Sequence, residues 1–327
     1  MKVAIIGCGL IGKKRLQALD EDDTLVACCD IDSKLSFDCK FYDDYKELIR
    51  ESECDIVIVS VINKFAKNIV EFALEHKKHV LVEKPMGMNH EESLSMYNTS
   101  QNNNIILYVG FNHRFHPAIL KAKKLQNTIG KTIIIRGTYG HGGRLGMENE
   151  WRCNKNLCGG GELLDQGVHL IDLSRWFAGD IKSVFGKTKT KYWNIEAEDN
   201  VFMLLKSYTN VDIQLHASWT NWKNTFQFEI IGEYGYLKIN GLGGSYGKET
   251  LEYGLRNVDK GVPDIEYFEF DNDDSWKIQW KHFKTNVENF NNGNPISEIN
   301  GAIDGLKANK IIKAIYKSSR KNKVIKI

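Results

Sequence analysis

The stretch "VAIIGCGLIG" restricts the fold more than any other feature of the chain. A short β-branched apolar run leads into Gly7-x-Gly9-x-x-Gly12 and then into "IGKKRLQAL", which reads as a helix. Alone the glycine pattern is weak. In a strand–turn–helix context each glycine has a task. Gly7 permits the tight turn, Gly9 lets backbone approach a pyrophosphate, and Gly12 lets the helix pack close to its sheet. The N–H groups at the helix start, around Leu10 and Ile11, then face the phosphates. The second strand, "TLVACCD", ends at Asp30, roughly twenty residues past the fingerprint, where a carboxylate accepts the ribose hydroxyls of NAD. That carboxylate would repel the extra phosphate of NADP. Residues Ile31 to Lys34 include no arginine, so NAD is expected before NADP, with Lys34 leaving some room for the latter.

Strand and helix signals continue to alternate. "DIVIVSV" and "HVLVEKP" read as further strands with the helix "KNIVEFALEHK" between them. "IILYVGF" reads as a fifth strand and "KTIIIRGTYG" as a sixth. Near-continuous apolar strands separated by helices imply a doubly wound parallel sheet covered on both faces. After about residue 118 the rhythm changes. From Ser183 onward "VFGKTKTKYW", "VFMLLKSY", "VDIQLHASW", "FQFEIIG", "YLKING" and "IEYFEF" follow one another, several alternating apolar and polar residues. That suits a large, mainly antiparallel open sheet, with "GEYGY" as a hairpin turn. The expected fold class is therefore α/β. An N-terminal dinucleotide-binding domain spans 1–118, and a substrate-binding and oligomerisation domain spans 119–327, whose final helices can pack back on the first domain.

The 327 residues carry a formal net charge of +2, which excludes neither domain and suggests no nucleic-acid or membrane partner. The basic run Lys317–Lys326 reads as a solvated end segment. No apolar run is long enough to span a bilayer. The seven cysteines fit no disulfide framework and include no Cys-x-x-Cys pair, so a reducing, cytoplasmic compartment is expected and a zinc site is not.

Two segments carry candidate chemistry. "VEKP" puts Glu83, Lys84 and Pro85 at the carboxyl end of a strand past the switch point, where open α/β sheets bind ligands. "GGGELLDQGVHLID" puts Asp165, His169 and Asp172 on one stripe if a helix starts at Glu162. The other positions are apolar nearly all round, so that stripe should face a cleft or an internal network. The bland reading is a capped helix with surface polars. A metal on Asp165 and His169 lacks further ligands, and none is expected. Between them, "YGHGGRLGMENEWRCNKNLCGGG" has no period and reads as a long binding loop.

On "GCGLIG", "VEKP", "VGFNHRFHP" and above all "GGGELLDQGVHLIDLSRWFAGD", nearly the whole chain resembles the glucose–fructose oxidoreductase, inositol dehydrogenase and rhizopine-catabolism (Gfo/Idh/MocA) family. The resemblance implies a Rossmann domain followed by an α/β domain whose open sheet joins copies, as a homodimer or homotetramer. It implies that Lys84, Asp165 and His169 surround the reacting carbon, and that Trp151 and Arg152 meet substrate or cofactor. After the third strand the family often has Thr-Pro-Asn; here the chain reads Ser60-Val61-Ile62-Asn63, so Val61 and Asn63 are cofactor candidates without the usual proline.

The expected reaction moves a hydride between a sugar or polyol hydroxyl carbon and nicotinamide. His169 is the expected general base, because imidazole titrates nearest neutral. Asp165 would bind a neighbouring hydroxyl or hold the imidazole. Lys84 would hydrogen-bond the reacting oxygen; the roles of Lys84 and His169 can also be exchanged. Arg144 and Arg152 suit a phosphate- or nucleotide-linked sugar of surface-polysaccharide synthesis, or pair with Glu148 or Glu150 instead. Inositol oxidation, glycoside hydrolysis through a transient oxidation, and non-catalytic cofactor-binding regulation are the alternatives.

Overall fold

The computed structural model describes all residues, Met1–Ile327. They form two compact units. One comprises Met1–Phe111, Asn156–Gly159 and Trp276–Asn309; the other comprises Asn112–Lys155, Gly160–Ser275 and Lys310–Ile327.

The first unit is built on β1 (Lys2–Ile6), β2 (Thr24–Cys29), β3 (Lys40–Tyr42), β4 (Ile56–Val59), β5 (His79–Val82) and β6 (Leu107–Val109). Every pairing is parallel, in the order β3-β2-β1-β4-β5-β6. All four residues of β4 and of β5 are buried, which removes the alternation that a half-solvated strand would show. The connecting helices are α1 (Leu10–Gln17), α2 (Tyr45–Glu51), α3 (Asn63–Glu75) and α4 (His90–Asn103). The strand order reverses at β1, and ligands of such sheets bind beyond the carboxyl ends at that point.

One strand assignment from the sequence is corrected. "KTIIIRGTYG" is not the sixth strand of this sheet. Its strand, β7 (Thr132–Gly140), lies in the second unit, with exposed residues interspersed among buried ones. The parallel sheet is completed instead by β3, a three-residue edge strand too short to show a period.

The second unit centres on a nine-stranded sheet: β7 with β8 (Ile181–Lys189), β9 (Asn200–Ser207), β10 (Asp212–Ser218), β11 (Thr225–Gly232), β12 (Gly235–Asn240), β13 (Glu249–Leu255), β14 (Asp264–Phe270) and β15 (Ile325–Lys326). The order is β14-β13-β12-β11-β7-β10-β9-β8-β15, with only β7 and β10 parallel. Along β9, Val201, Met203 and Leu205 are buried while Phe202 and Leu204 are exposed, so one face is covered and the other open. The helices are α5 (Pro117–Leu125) and α7 (Val168–Ala178); the single turn α6 (Lys155–Cys158) falls mostly in the first unit. Gly137 in β7 makes room for the sheet-facing side of α7: a Cβ there would sit 3.1 Å from Leu170 Cδ2.

The last two helices are α8 (Ser275–Asn291) and α9 (Ala302–Lys321). Within the first unit α8 is tied by polar contacts. Trp280 Nε1 donates to Asp23 Oδ2 (2.7 Å), and Lys284 Nζ meets Asp22 Oδ1 (2.6 Å) and Asp23 Oδ1 (3.0 Å). No helix is long and apolar enough to cross a membrane.

Candidate functional site

After β1 the chain turns at Gly7, whose φ is +93°. A Cβ at Gly7 would lie 2.4 Å from Ser60 O, and one at Gly12 would lie 2.1 Å from Gly7 O. Packing therefore demands both glycines. Gly9 differs, because a Cβ there would meet nothing within 4 Å. Gly9 is also the N-cap of α1 and supplies no side-chain hydrogen bond. Open space at an uncapped helix start, beginning with Leu10 and Ile11, is what a pyrophosphate needs. Asp30 follows β2 directly. Its Oδ2 accepts from Cys8 N–H (2.7 Å) and its Oδ1 from Asp32 N–H (3.1 Å), which fixes the carboxylate beside the glycine turn. These residues fit a dinucleotide.

Val61 and Asn63 stand at the start of α3, after β4. Asn63 Nδ2 donates to Cys158 O (2.9 Å), so its side chain is fixed by the α6 turn. Glu83 and Lys84 follow β5, and the Lys84–Pro85 peptide is cis. The Glu83 carboxylate is committed to Arg15. Arg15 Nε donates to Oε1 (2.6 Å), Arg15 Nη1 donates to Gln279 Oε1 (2.7 Å), and the guanidinium lies 4.5 Å from the Trp276 ring centre. A Cβ at Gly110 would come within 2.8 Å of both Arg15 Nη2 and Glu83 Oε2. Any cofactor contact by Glu83 thus falls to its backbone.

In the second unit the glycine-led segment is not the single α-helix expected from Glu162. Leu163–Gly167 form a π-helical turn, and α7 begins at Val168. Asp165 therefore sits in a π turn and His169 in the α-helix that follows, so the two do not share one α-helical register. Asp165 stays half-buried, while His169 and Asp172 are buried. Asp172 is held by Arg114 in a bidentate pair, Nε to Oδ2 (2.8 Å) and Nη2 to Oδ1 (2.6 Å).

His169 stacks on His113. Tyr139, at the end of β7, has its ring centre 5.2 Å from that of His113 and 6.2 Å from that of His169. The Tyr246 ring lies 4.9 Å from Tyr139, and Gln166 Nε2 donates to Tyr246 Oη (2.7 Å). Burial, then the neighbouring Tyr246, Asp165 and Glu162, hold the Tyr139 phenol well above its usual range. Burial, then Glu162 and Asp165, push Tyr246 up to about 12. Burial lowers His141, opposed by Asp165. Glu162, Asp165, Gln166, His169, His113, Tyr139 and Tyr246 therefore form one polar cluster.

Of these, only Asp165 and His169 stand out in the sequence as site residues. His113 sits inside "NHRF" without a period to mark it. Tyr139 ends a strand, and Tyr246 lies in the glycine-rich turn "GLGGSYG". Trp151 and Arg152 form a short 3-10 turn, with the Arg152 guanidinium 4.6 Å from the Trp151 ring centre. Arg144 Nε and Arg152 Nη1 both meet Glu150, at 2.8 and 3.7 Å. Local pairing, rather than two arginines open to a phosphate, is what the loop displays. All seven cysteines are free thiols.

The description "Oxidoreductase family, NAD-binding Rossmann fold" matches residues 1–111, and "GFO/IDH/MocA C-terminal domain" matches residues 119–238. The chain belongs to the Gfo/Idh/MocA oxidoreductase family. Its first unit contains the NAD-binding Rossmann domain of that family. Levoglucosan dehydrogenase of Pseudarthrobacter phenanthrenivorans is 32% identical over 145 residues, 43% of this chain and 37% of that protein. Glucose-6-phosphate 3-dehydrogenase of Bacillus subtilis is 31% identical over 229 residues, 65% of this chain and 64% of the relative. Myo-inositol 2-dehydrogenase of Thermotoga maritima is 29% identical over 198 residues, 57% of each chain. The matched segments span less than two thirds of these relatives' lengths. The fold is that of levoglucosan dehydrogenase in complex with NADH (TM-score 0.87, 21% identity, covering 100% of this chain and 99% of that one). It is equally that of aldose-aldose oxidoreductase from Caulobacter crescentus (TM-score 0.84, 22% identity, 100% and 99%).

Proposed function

We propose that the protein is an NAD-dependent dehydrogenase acting on a CH–OH carbon of a sugar or polyol, with NADP a poorer cofactor. The observation that carries this reading is the buried cluster around Asp165 and His169 in a chain whose other unit is an NAD-binding Rossmann domain. When bound, NAD supplies the hydride acceptor. Gly7, Gly9, Leu10, Ile11, Gly12, Asp30, Val61, Asn63 and the backbone at Glu83–Lys84 hold it. His169 takes the hydroxyl proton on a ring nitrogen. Asp165 accepts a hydrogen bond from a neighbouring hydroxyl or, alternatively, holds the imidazole. Lys84 donates to the reacting oxygen and stabilises its negative charge. Trp151 and Arg152 belong to the loop that borders the substrate.

A neutral sugar or polyol is favoured over a phosphate- or nucleotide-linked one, because Arg144 and Arg152 already share Glu150. The names of relatives support the class: levoglucosan and myo-inositol are neutral, although glucose 6-phosphate is not. A role in surface-polysaccharide synthesis requires those arginine pairs to open. The unit built on residues 1–111, with most of α8 and the first part of α9, takes the cofactor, and the unit that carries His113 and His169 takes the substrate. A cytoplasmic setting is supported by seven free thiols. The exposed Phe202 and Leu204 on the open sheet suit pairing with further copies of the chain as a homodimer or homotetramer.

The test is a pH–rate profile of wild type, His169→Ala and Lys84→Ala. Loss of the acidic limb with His169 supports this assignment. Near-full turnover of the His169 variant at neutral pH transfers the base to Lys84. Glycoside cleavage without accumulating NADH would replace the dehydrogenase with a hydrolase.

A further inference from the structure

Two of the three glycines before the π turn are explained by what packs on them. A Cβ at Gly160 would fall 2.1 Å from Tyr316 Oη, and one at Gly161 would fall 2.1 Å from Glu198 O. Glu198 comes directly to the start of the segment that carries Asp165 and His169. Its Oε1 accepts from Gly161 N–H (3.0 Å), Leu163 N–H (3.3 Å) and Tyr316 Oη–H (2.6 Å). Its backbone oxygen accepts from Glu162 N–H (2.9 Å). A helical start leaves its first N–H groups without intrahelical acceptors, and here one buried carboxylate takes two of them.

Glu198 is itself held in place. The adjoining Asp199 is fully buried, and its two oxygens accept from the N–H groups of Lys191 (2.7 Å), Tyr192 (2.8 Å) and Trp193 (3.0 Å). Tyr316 projects from the part of α9 that belongs to the same unit. The π turn therefore starts from a fixed point, and its width sets the angle between Asp165 and His169.

We infer that Glu198, braced by Tyr316, is a positioning residue for the Asp165–His169 pair. This rests on the reading of Asp165 and His169 as the substrate-binding carboxylate and the base. A carboxylate that merely stabilised a helix start would affect melting and leave the geometry of His169 unchanged.

The test uses the full chain with 15N-labelled histidine, the His169 signal being assigned from its loss in His169→Gln. Glu198→Ala is expected to shift the His169 imidazole resonances. It should lower kcat by about 10- to 100-fold, as a misplaced reacting group does, with the Kd for NAD unchanged. Glu198→Gln keeps an accepting oxygen and should recover most of the rate. Unmoved His169 resonances in folded Glu198→Ala, or Glu198→Gln as impaired as Glu198→Ala, would overturn the inference. If Glu198→Ala does not fold, Tyr316→Phe removes one donor. It should shift the same resonances, and their constancy would overturn the inference equally. If wild type oxidises no sugar or polyol, the dehydrogenase reading fails, while the resonances still decide the role of Glu198.

Discussion

The imidazoles of His169 and His113 lie face to face, with ring centres 3.6 Å apart and planes 21° from parallel. Asn112 Oδ1 sits 3.2 Å from His113 Nδ1, so the supporting ring is itself oriented. Removing it in His113→Ala opens space behind His169. Turnover should fall by about tenfold or more, with the affinity for NAD unaltered. His113→Phe retains a stacking ring and should keep more activity than His113→Ala. Steady-state kinetics with saturating NAD distinguish the two.

The buried Arg114–Asp172 pair predicts a different outcome. Both side chains are nearly inaccessible, and Arg114 donates two hydrogen bonds to Asp172. Asp172→Ala removes the carboxylate paired with a buried guanidinium and should cost about 3–5 kcal/mol of stability. Urea denaturation of the variant and wild type measures this. A change under about 0.5 kcal/mol would mean that solvent reaches Arg114.

The glycines of the fingerprint should respond unequally. Gly9→Ala places its methyl in open space, so the variant should fold with near-native stability and bind NAD more weakly. Gly12→Ala meets the Gly7 carbonyl at 2.1 Å and should destabilise the unit even without cofactor. Calorimetric melting with and without NAD separates these effects.

Most of the first unit was legible because its signals are local. A glycine fingerprint, buried β-branched runs and an aspartate after β2 all act within a short stretch of chain. Edge strand β3 was illegible because three residues carry no period, and β7 misled because "TIII" reads as a continuously buried strand while Ile133 is in fact 41% exposed. Asp165 and His169 were legible from residue type and spacing. The π turn that carries Asp165 was not, because Glu198 and Tyr316, which meet its start, are distant in sequence. His113, Tyr139 and Tyr246 join the cluster only through tertiary packing.

Stability should fall on acidification. Burial lowers His79, His141 and His216, the effect of burial on His79 and His141 being partly opposed by nearby groups. For each, the unfolded chain binds the proton more readily than the folded one. Stability is thus fully present above the unfolded value of about 6.5 and is lost as pH drops through the lower folded values. Denaturant midpoints collected from about pH 8 to pH 5 should decline below about 6.5. The decline should be shallower in His79→Gln, which removes one of the three groups.

The decisive measurement follows NADH formation when the purified full chain and NAD are mixed with a panel of neutral sugars and polyols. NADH should appear in step with a carbonyl product from at least one of them, and that signal should be lost in His169→Ala. NAD binding without NADH from any sugar, polyol, sugar phosphate or nucleotide sugar would contradict the dehydrogenase reading.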